Sequence, residues 1–446
     1  MPYHRKANHM TDMTADTADE SHSIDTICVQ GGWQPKNGEP RTPPIVQSTT
    51  FKYTSSEQMS RLFDLSESGY FYTRLSNPTN DVVAKKICEL EGGTAAILTS
   101  SGQAANFFAL FNLCSAGDHI VASNAIYGGT YNLINVTMRR MGIDCTFVHP
   151  DCTPEELDAA FRPNTKAVFG ESIANPSLMV LDFDKFAAAA HKHGVPLIVD
   201  NTFPTPVNCR PFEYGVDIVT HSTTKYMDGH GSCVGGAIVD SGNFDWMADA
   251  DKFPGLTTPD DSYHGVTYAK EFGNGGAFIT KCVAQLMRDF GSIPSPFNSW
   301  ILGQNLEDLG LRMKRHCENG HKVAKFLNED PRISWVNHPG LETDKYYELA
   351  RKYMPNGTCG VIAFGVPGGR DKVSAFLDHL KLVSIATHVA DSRSCILYPA
   401  GTTHRQLTEQ QLKEAGVGID LVRLSCGLEN ADDIIADLKQ ALDAVL

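Results

Sequence analysis

Leu197-Ile198-Val199-Asp200-Asn201 and Ile218-Val219-Thr220-His221-Ser222-Thr223-Thr224-Lys225-Tyr226 form the stretch that decides the fold. Each run opens apolar and β-branched and closes on polar residues. Apolar positions without alternation mark a strand covered on both faces, the habit of parallel sheets with helices above and below. Outward from this pair the same cadence runs from Thr94 to Asp240. Its strand runs are Ala95 to Thr99, His119 to Ser123, Cys145 to His149, Ala167 to Glu171, Pro196 to Asp200, Ile218 to Ser222 and Ala237 to Asp240. Helical stretches separate them: Ala104 to Leu113, Gly129 to Met141, Pro154 to Phe161 behind the N-cap Thr153, and Asp184 to His193 closed by Gly194. The pattern predicts an α/β fold with one large, mostly parallel sheet of seven strands.

The flanks read differently. Residues 1–23 mix His4, Arg5 and Lys6 with Asp12, Asp16, Asp19 and Glu20, lack the apolar core of a secretory signal, and are expected to be a disordered tail. Residues 24–75, with Pro40, Pro43 and Pro44 and no long helical period, are expected to form an extended N-terminal arm that contacts the neighbouring subunit. A large domain is expected over 76–275. After Gly273-Asn274-Gly275-Gly276 a smaller C-terminal α/β domain is expected over 276–446. That part carries helical patterns at Ala277 to Phe290 and Asn298 to Leu327, a strand run at Gly360 to Val366, and a closing amphipathic helix from Asp432 to Leu446.

Composition narrows the partners. A formal charge of −14 over 446 residues argues against a nucleic-acid or anionic membrane surface and favours a small molecule. No run approaches the ~18 apolar residues of a spanning helix. The twelve cysteines are scattered singly, without a C-x-x-C pair, as in the reduced thiols of a cytoplasmic protein. His191 and His193 have no third ligand at suitable spacing, so no metal site is expected.

Open α/β sheets bind ligands beyond the carboxyl ends of their strands. After the first strand stands Ser100-Ser101-Gly102-Gln103, small residues opening a helix whose N–H groups can hold a phosphate, though alone such a turn is more often only a cap. After the fourth come Glu171 and Asn175-Pro176; after the fifth, Asp200; after the sixth, Ser222 to Lys225. A buried carboxylate beside a phosphate site needs a cation or donor, and a pyridinium nitrogen is one. Lysines ordinarily lie at the surface, but Lys225 follows a buried strand between the Ser222 and Thr224 hydroxyls and a glycine-rich run, Gly229, Gly231, Gly235 and Gly236. These features point to pyridoxal 5′-phosphate, with Lys225 as the Schiff-base lysine and Asp200 as partner of the ring nitrogen. A dinucleotide-binding oxidoreductase and an inert binding module are the alternatives. The first needs a glycine fingerprint after the first strand, which is missing, and the run Gly229 to Gly235 is one residue too long to supply it.

The run from Asp200 through His221-Ser222-Thr223-Thr224-Lys225-Tyr226 resembles the signature of the Cys/Met-metabolism family of fold-type I pyridoxal-phosphate enzymes, over about residues 24–446. Three C-terminal stretches, Pro399 to Leu407, Ala415-Gly416-Val417 and Leu421 to Glu429, are similar to its O-acetylhomoserine sulfhydrylase branch. The resemblance implies roles at matching positions. Tyr127 would stack on the cofactor ring and move a proton. Ser101, Gly102, Gln103, Ser222 and Thr224 would hold the cofactor, and Asn175 its phenolic oxygen. Tyr72 and Arg74 would reach the cofactor phosphate of the adjacent subunit, Tyr72 also meeting substrate. Arg423 would clamp the substrate α-carboxylate. Where many relatives read Asn-Val-Gly-Asp, this chain has His388 within Thr387-His388-Val389-Ala390-Asp391, which would let that histidine approach substrate.

The implied reaction is γ-replacement. Sulfide, or a thiol, displaces acetate from O-acetyl-L-homoserine to give L-homocysteine, or methionine, in methionine biosynthesis. A methionine or homocysteine γ-lyase and an O-succinylhomoserine-using relative are the alternatives, and O-acetylserine stays open as a substrate. Gly129, where γ-lyases carry a cysteine, speaks against a dedicated lyase. The resemblance also implies a dimer as the catalytic unit, paired into a tetramer.

Overall fold

The computed structural model describes residues 22–402 and 418–446. In it the predicted strand runs form one sheet: β1 (Ala95–Thr99), β2 (His119–Ser123), β3 (Asp144–Val148), β4 (Thr165–Glu171), β5 (Leu197–Asp200), β6 (Ile218–His221) and β7 (Gly236–Asp240). Their order is β1-β7-β6-β5-β4-β2-β3. Only β7 runs against its neighbours, β1 and β6. The carboxyl ends of β1, β4, β5 and β6 therefore share one edge. Leu197, Ile198, Val199, Ile218 and Val219 are 0% exposed, as strands covered on both faces require. Burying each such side chain contributes about 1.5–3 kcal/mol.

The covering helices start where local chemistry allows. Asn77 accepts the Thr79 N–H at 3.0 Å to open the helix Pro78–Glu91, which stops at Gly92 with φ 75. Ser101 accepts the Ala104 N–H at 3.1 Å and opens Gly102–Phe111. Thr153 and Glu156 form a reciprocal capping box before Pro154–Ala159.

A second sheet holds β8 (Val336–Asn337), β9 (Val361–Gly365), β10 (Ser384–Ile385), β11 (Cys395–Leu397) and β12 (Leu421–Ser425), in the order β10-β11-β12-β9-β8. The closing helix, Ala431–Val445, packs Ile434, Leu438, Ala441 and Leu442 against it. Among the described residues no helix is long and apolar enough to cross a membrane.

Three expectations change. The helix expected over Gly129 to Met141 is α-helical only at Gly128–Asn132 and widens to π-helical turns at Leu133–Met138, which seat Leu133, Ile134 and Met138 in the core. The glycine run at 273–276 stands at a junction within Tyr268–Lys281, where Gly273 (φ 65, ψ −175) leaves helical geometry and separates two helices. It marks no change of core. Ala277, Phe278, Leu302, Leu306 and Met313 still pack with the seven-stranded sheet, and the second core begins with Val323 on the long helix Leu309–Glu329, so the packing does not turn over at 276. The arm is not wholly irregular. It carries the helices Ile24–Gln30 and Ser56–Phe63, and the first docks on its own chain through the Lys86 amine, which donates to the Cys28 carbonyl at 2.9 Å. The tail expected over 1–23, except His22 and Ser23, and the segments 403–407 and 415–417 of the C-terminal motif lie outside the described residues.

Candidate active site

A cavity of about 250 Å³ opens at the shared carboxyl edge. Each strand end contributes to its wall: Ser101, Gly102 and Gln103 after β1, Tyr127 after β2, Glu171 and Asn175 at β4, Asp200 and Thr202 at β5, and Ser222, Thr224 and Lys225 after β6. Arg423 on β12, and Thr387 and Val389 from the loop after β10, close it.

Lys225 is the cavity's amine. Burial, and next the charge of Arg423, lower its pKa to about 8. Gly102 faces Ser222 so closely that a Cβ would stand 2.5 Å from the Ser222 Cβ, which brings the helix start and the β6 loop together as one cradle. The Thr224 hydroxyl accepts the Gly235 N–H at 3.0 Å and fixes the far side of that loop. Asp200 is 8% exposed. Its Oδ2 accepts from Asn106 Nδ2 at 3.1 Å, and its Oδ1 accepts the Thr202 N–H at 3.1 Å together with the Thr202 hydroxyl.

Tyr127 is 51% exposed at the mouth. Its ring lies against Gly129, where a Cβ would come within 2.5 Å of Tyr127 Cε1, and Gln103 Nε2 donates to the Gly129 carbonyl at 3.0 Å to hold that turn. Arg423, on the central strand of the second sheet, donates from Nη1 to Asn175 Oδ1 at 3.0 Å and from Nη2 to the carbonyls of Thr387 (3.3 Å) and His388 (3.1 Å). Its Nε is buried without a partner, and burial, unrelieved by any carboxylate among the described residues, lowers the arginine's pKa. A buried cation of this kind suits an anionic ligand.

Of the residues expected in this chain's own site, His388 stands elsewhere. The His388 ring does not line the cavity: Thr387 and Val389 do, and the imidazole turns toward Asp391, with Nε2 3.9 Å from Asp391 Oδ2. His388 contributes its carbonyl instead. Tyr72 and Arg74 do not line the cavity of their own chain; the Arg74 guanidinium lies over the Tyr72 ring, 5.2 Å from its centroid.

Sequence reading missed Asn106 and Thr202, which hold Asp200, and the work of Glu171. Glu171 Oε1 accepts the Tyr127 N–H at 2.6 Å and Oε2 the Asn175 N–H at 3.3 Å. Burial, and then the charge of Asp200, push its pKa well above the ordinary value. A signal for Asn106 existed: it follows Gly102 by four residues in a helix and so shares its face.

Known proteins resemble this chain over nearly its whole length. The family model for Cys/Met metabolism PLP-dependent enzymes matches residues 25–443. The homocysteine synthase of Schizosaccharomyces pombe is 45% identical over 95% of this chain and 99% of its own length. The O-acetyl-L-homoserine sulfhydrylase of Leptospira meyeri is also 45% identical, over 94% of this chain and 96% of its own. A solved structure described as an O-acetylhomoserine (thiol)-lyase of Campylobacter jejuni, carrying a pyridoxyl-lysine monophosphate, superposes with a TM-score of 0.90 at 38% identity, over 95% of this chain and 100% of its own. With the strand-end lysine, the carboxylate beside it and a match spanning nearly the whole chain, this protein belongs to the Cys/Met metabolism family of pyridoxal-phosphate-dependent enzymes.

Proposed function

We propose that the protein is a transferase that exchanges the acetate of O-acetyl-L-homoserine for sulfide, giving L-homocysteine and acetate. The observation that carries this reading is one cavity with three groups on its wall: the buried amine of Lys225, the carboxylate of Asp200, and Arg423 with its Nε unpartnered. The names of the relatives at 45% identity support the choice of substrate.

The residues fit pyridoxal 5′-phosphate. The Gly102–Ser222 cradle at a helix start suits its phosphate, Asp200 its ring nitrogen and Asn175 its phenolic oxygen. When bound, the cofactor supplies an electron sink that acidifies the Cα and then the Cβ protons of an amino acid. Lys225 would hold the cofactor through its aldehyde carbon, and its Nζ is the base on the cavity wall that would take the Cα proton. A pKa near 8 leaves part of that amine unprotonated at neutral pH. Arg423 binds the α-carboxylate through its free Nε edge. Ser101, Gly102, Gln103, Ser222 and Thr224 hold the phosphate. Tyr127, at the cavity mouth, would stack on the cofactor ring and carry the proton that moves as acetate departs. His388 acts through the carbonyl that orients Arg423.

Tyr72 and Arg74 serve the site of a neighbouring subunit in this reading, because neither reaches its own cavity. The 24–75 arm then belongs to the contact between subunits, the dimer is the catalytic unit, and two dimers make a tetramer. A cytoplasmic setting accords with twelve cysteines that are all free.

Steady-state assay of the purified protein with O-acetylhomoserine and sulfide, beside methionine alone, tests the reading. Homocysteine from the first and no 2-oxobutyrate from the second are expected. Oxobutyrate from methionine with no homocysteine from the first would overturn it in favour of a γ-lyase.

A further inference from the structure

Asn106 sits on the first turns of the helix Gly102–Phe111, is 2% exposed and lines the same cavity as Lys225. Its amide is fixed end for end. Oδ1 accepts from the Thr220 hydroxyl at 2.5 Å, so Nδ2 is the end that meets Asp200 Oδ2 at 3.1 Å and Thr130 Oγ1 at 3.2 Å. Asp200 has a second anchor in Thr202, but Thr202 lies two residues along the same loop and moves with it. Asn106 is the anchor from a separate element.

That element is the helix whose start faces the Gly102–Ser222 cradle. We infer that Asn106 is a positioning residue for the reaction: it ties Asp200 to the phosphate-side helix, so that a single rigid helix sets both the phosphate cradle and the carboxylate partner of the ring nitrogen. The three contacts on Asp200 are all donations, which leaves a lone pair of Oδ2 open toward the cavity. A carboxylate free to rotate would offer that lone pair only part of the time. The inference rests on the reading of Asp200 as partner of the ring nitrogen.

The test is a double-mutant cycle on the holoenzyme with Asn106→Leu, Asp200→Asn and the pair together. It is read by cofactor dissociation, by the visible absorbance of the lysine-bound cofactor and by kcat, with thermal unfolding of each variant as the control. Asn106→Leu should loosen the cofactor and lower kcat by about tenfold to a hundredfold, the range for a lost hydrogen bond to a charged group. In the Asp200→Asn background it should cost almost nothing more. Asn106→Asp keeps the acceptor for Thr220 and sets a second carboxylate against Asp200, so it should cost more than leucine. If leucine does not fold, Asn106→Ser gives the same comparison. Fully additive losses, or an Asn106→Leu enzyme with unaltered spectrum and kcat, would remove the role of Asn106 alone. An Asp200→Asn enzyme with unaltered spectrum and kcat would remove the reading of Asp200, and Asn106 with it.

Discussion

The carboxyl ends of β4 and β5 place Glu171 and Asp200 opposite each other in register, both buried and both on the cavity wall. Their surroundings differ. Glu171 has its two oxygens engaged by the backbone N–H groups of Tyr127 and Asn175, and burial beside the charge of Asp200 pushes its pKa well up. Asp200 is met by Asn106 and Thr202, and part of it stays open to the cavity. Equal burial thus gives unequal work. Glu171 braces the two loops that carry Tyr127 and Asn175, whereas Asp200, in the proposed function, meets the ring nitrogen of the cofactor. The donors around a buried acid, more than its depth, decide which task it has.

The largest effect should follow from replacing the open carboxylate. Asp200→Asn should lower kcat/KM by roughly 10²–10³-fold, as when one partner of a buried charge pair is lost, and should alter the visible absorbance of the bound cofactor. Glu171→Gln should act more mildly, by about tenfold, with the cofactor spectrum retained, because an amide oxygen can still accept from Tyr127. A loss as deep as that of Asp200→Asn would erase the distinction between the two strand ends.

The smallest effect concerns Lys225, which lines the same cavity as both acids. Burial disfavours the cationic form of Lys225, so in the cofactor-free protein its neutral amine gains population as pH rises through about 8, well below the ordinary lysine value of 10.5. The rate of cofactor uptake should rise with a midpoint there. A midpoint above 10 would mean that the amine is solvated.

Much of this was legible in the sequence because the chemistry follows directly on the strands. The limits of β1 and β2 match the apolar runs residue for residue, and Asp200 and Lys225 stand at strand ends that continuous apolar runs announce. Asn106 had only its four-residue spacing from Gly102 to mark it within an apolar helix, and its partners Asp200 and Thr220 lie 94 and 114 residues away, so what it holds appears only in the packed sheet. The helices of the arm, 7 and 8 residues long, are too short to show a period. In the second sheet β8 and β10 have two residues each, too few for alternation. His388 lies in the loop after β10, where no strand period tells which side chain points into the cavity.

The central claim is that Lys225 carries the cofactor beside Asp200. Reduction of the holoenzyme with borohydride followed by peptide mapping tests it most directly. A phosphopyridoxyl group on Lys225 and on no other lysine is the expected result. A label on a different lysine, or none at all, would contradict it.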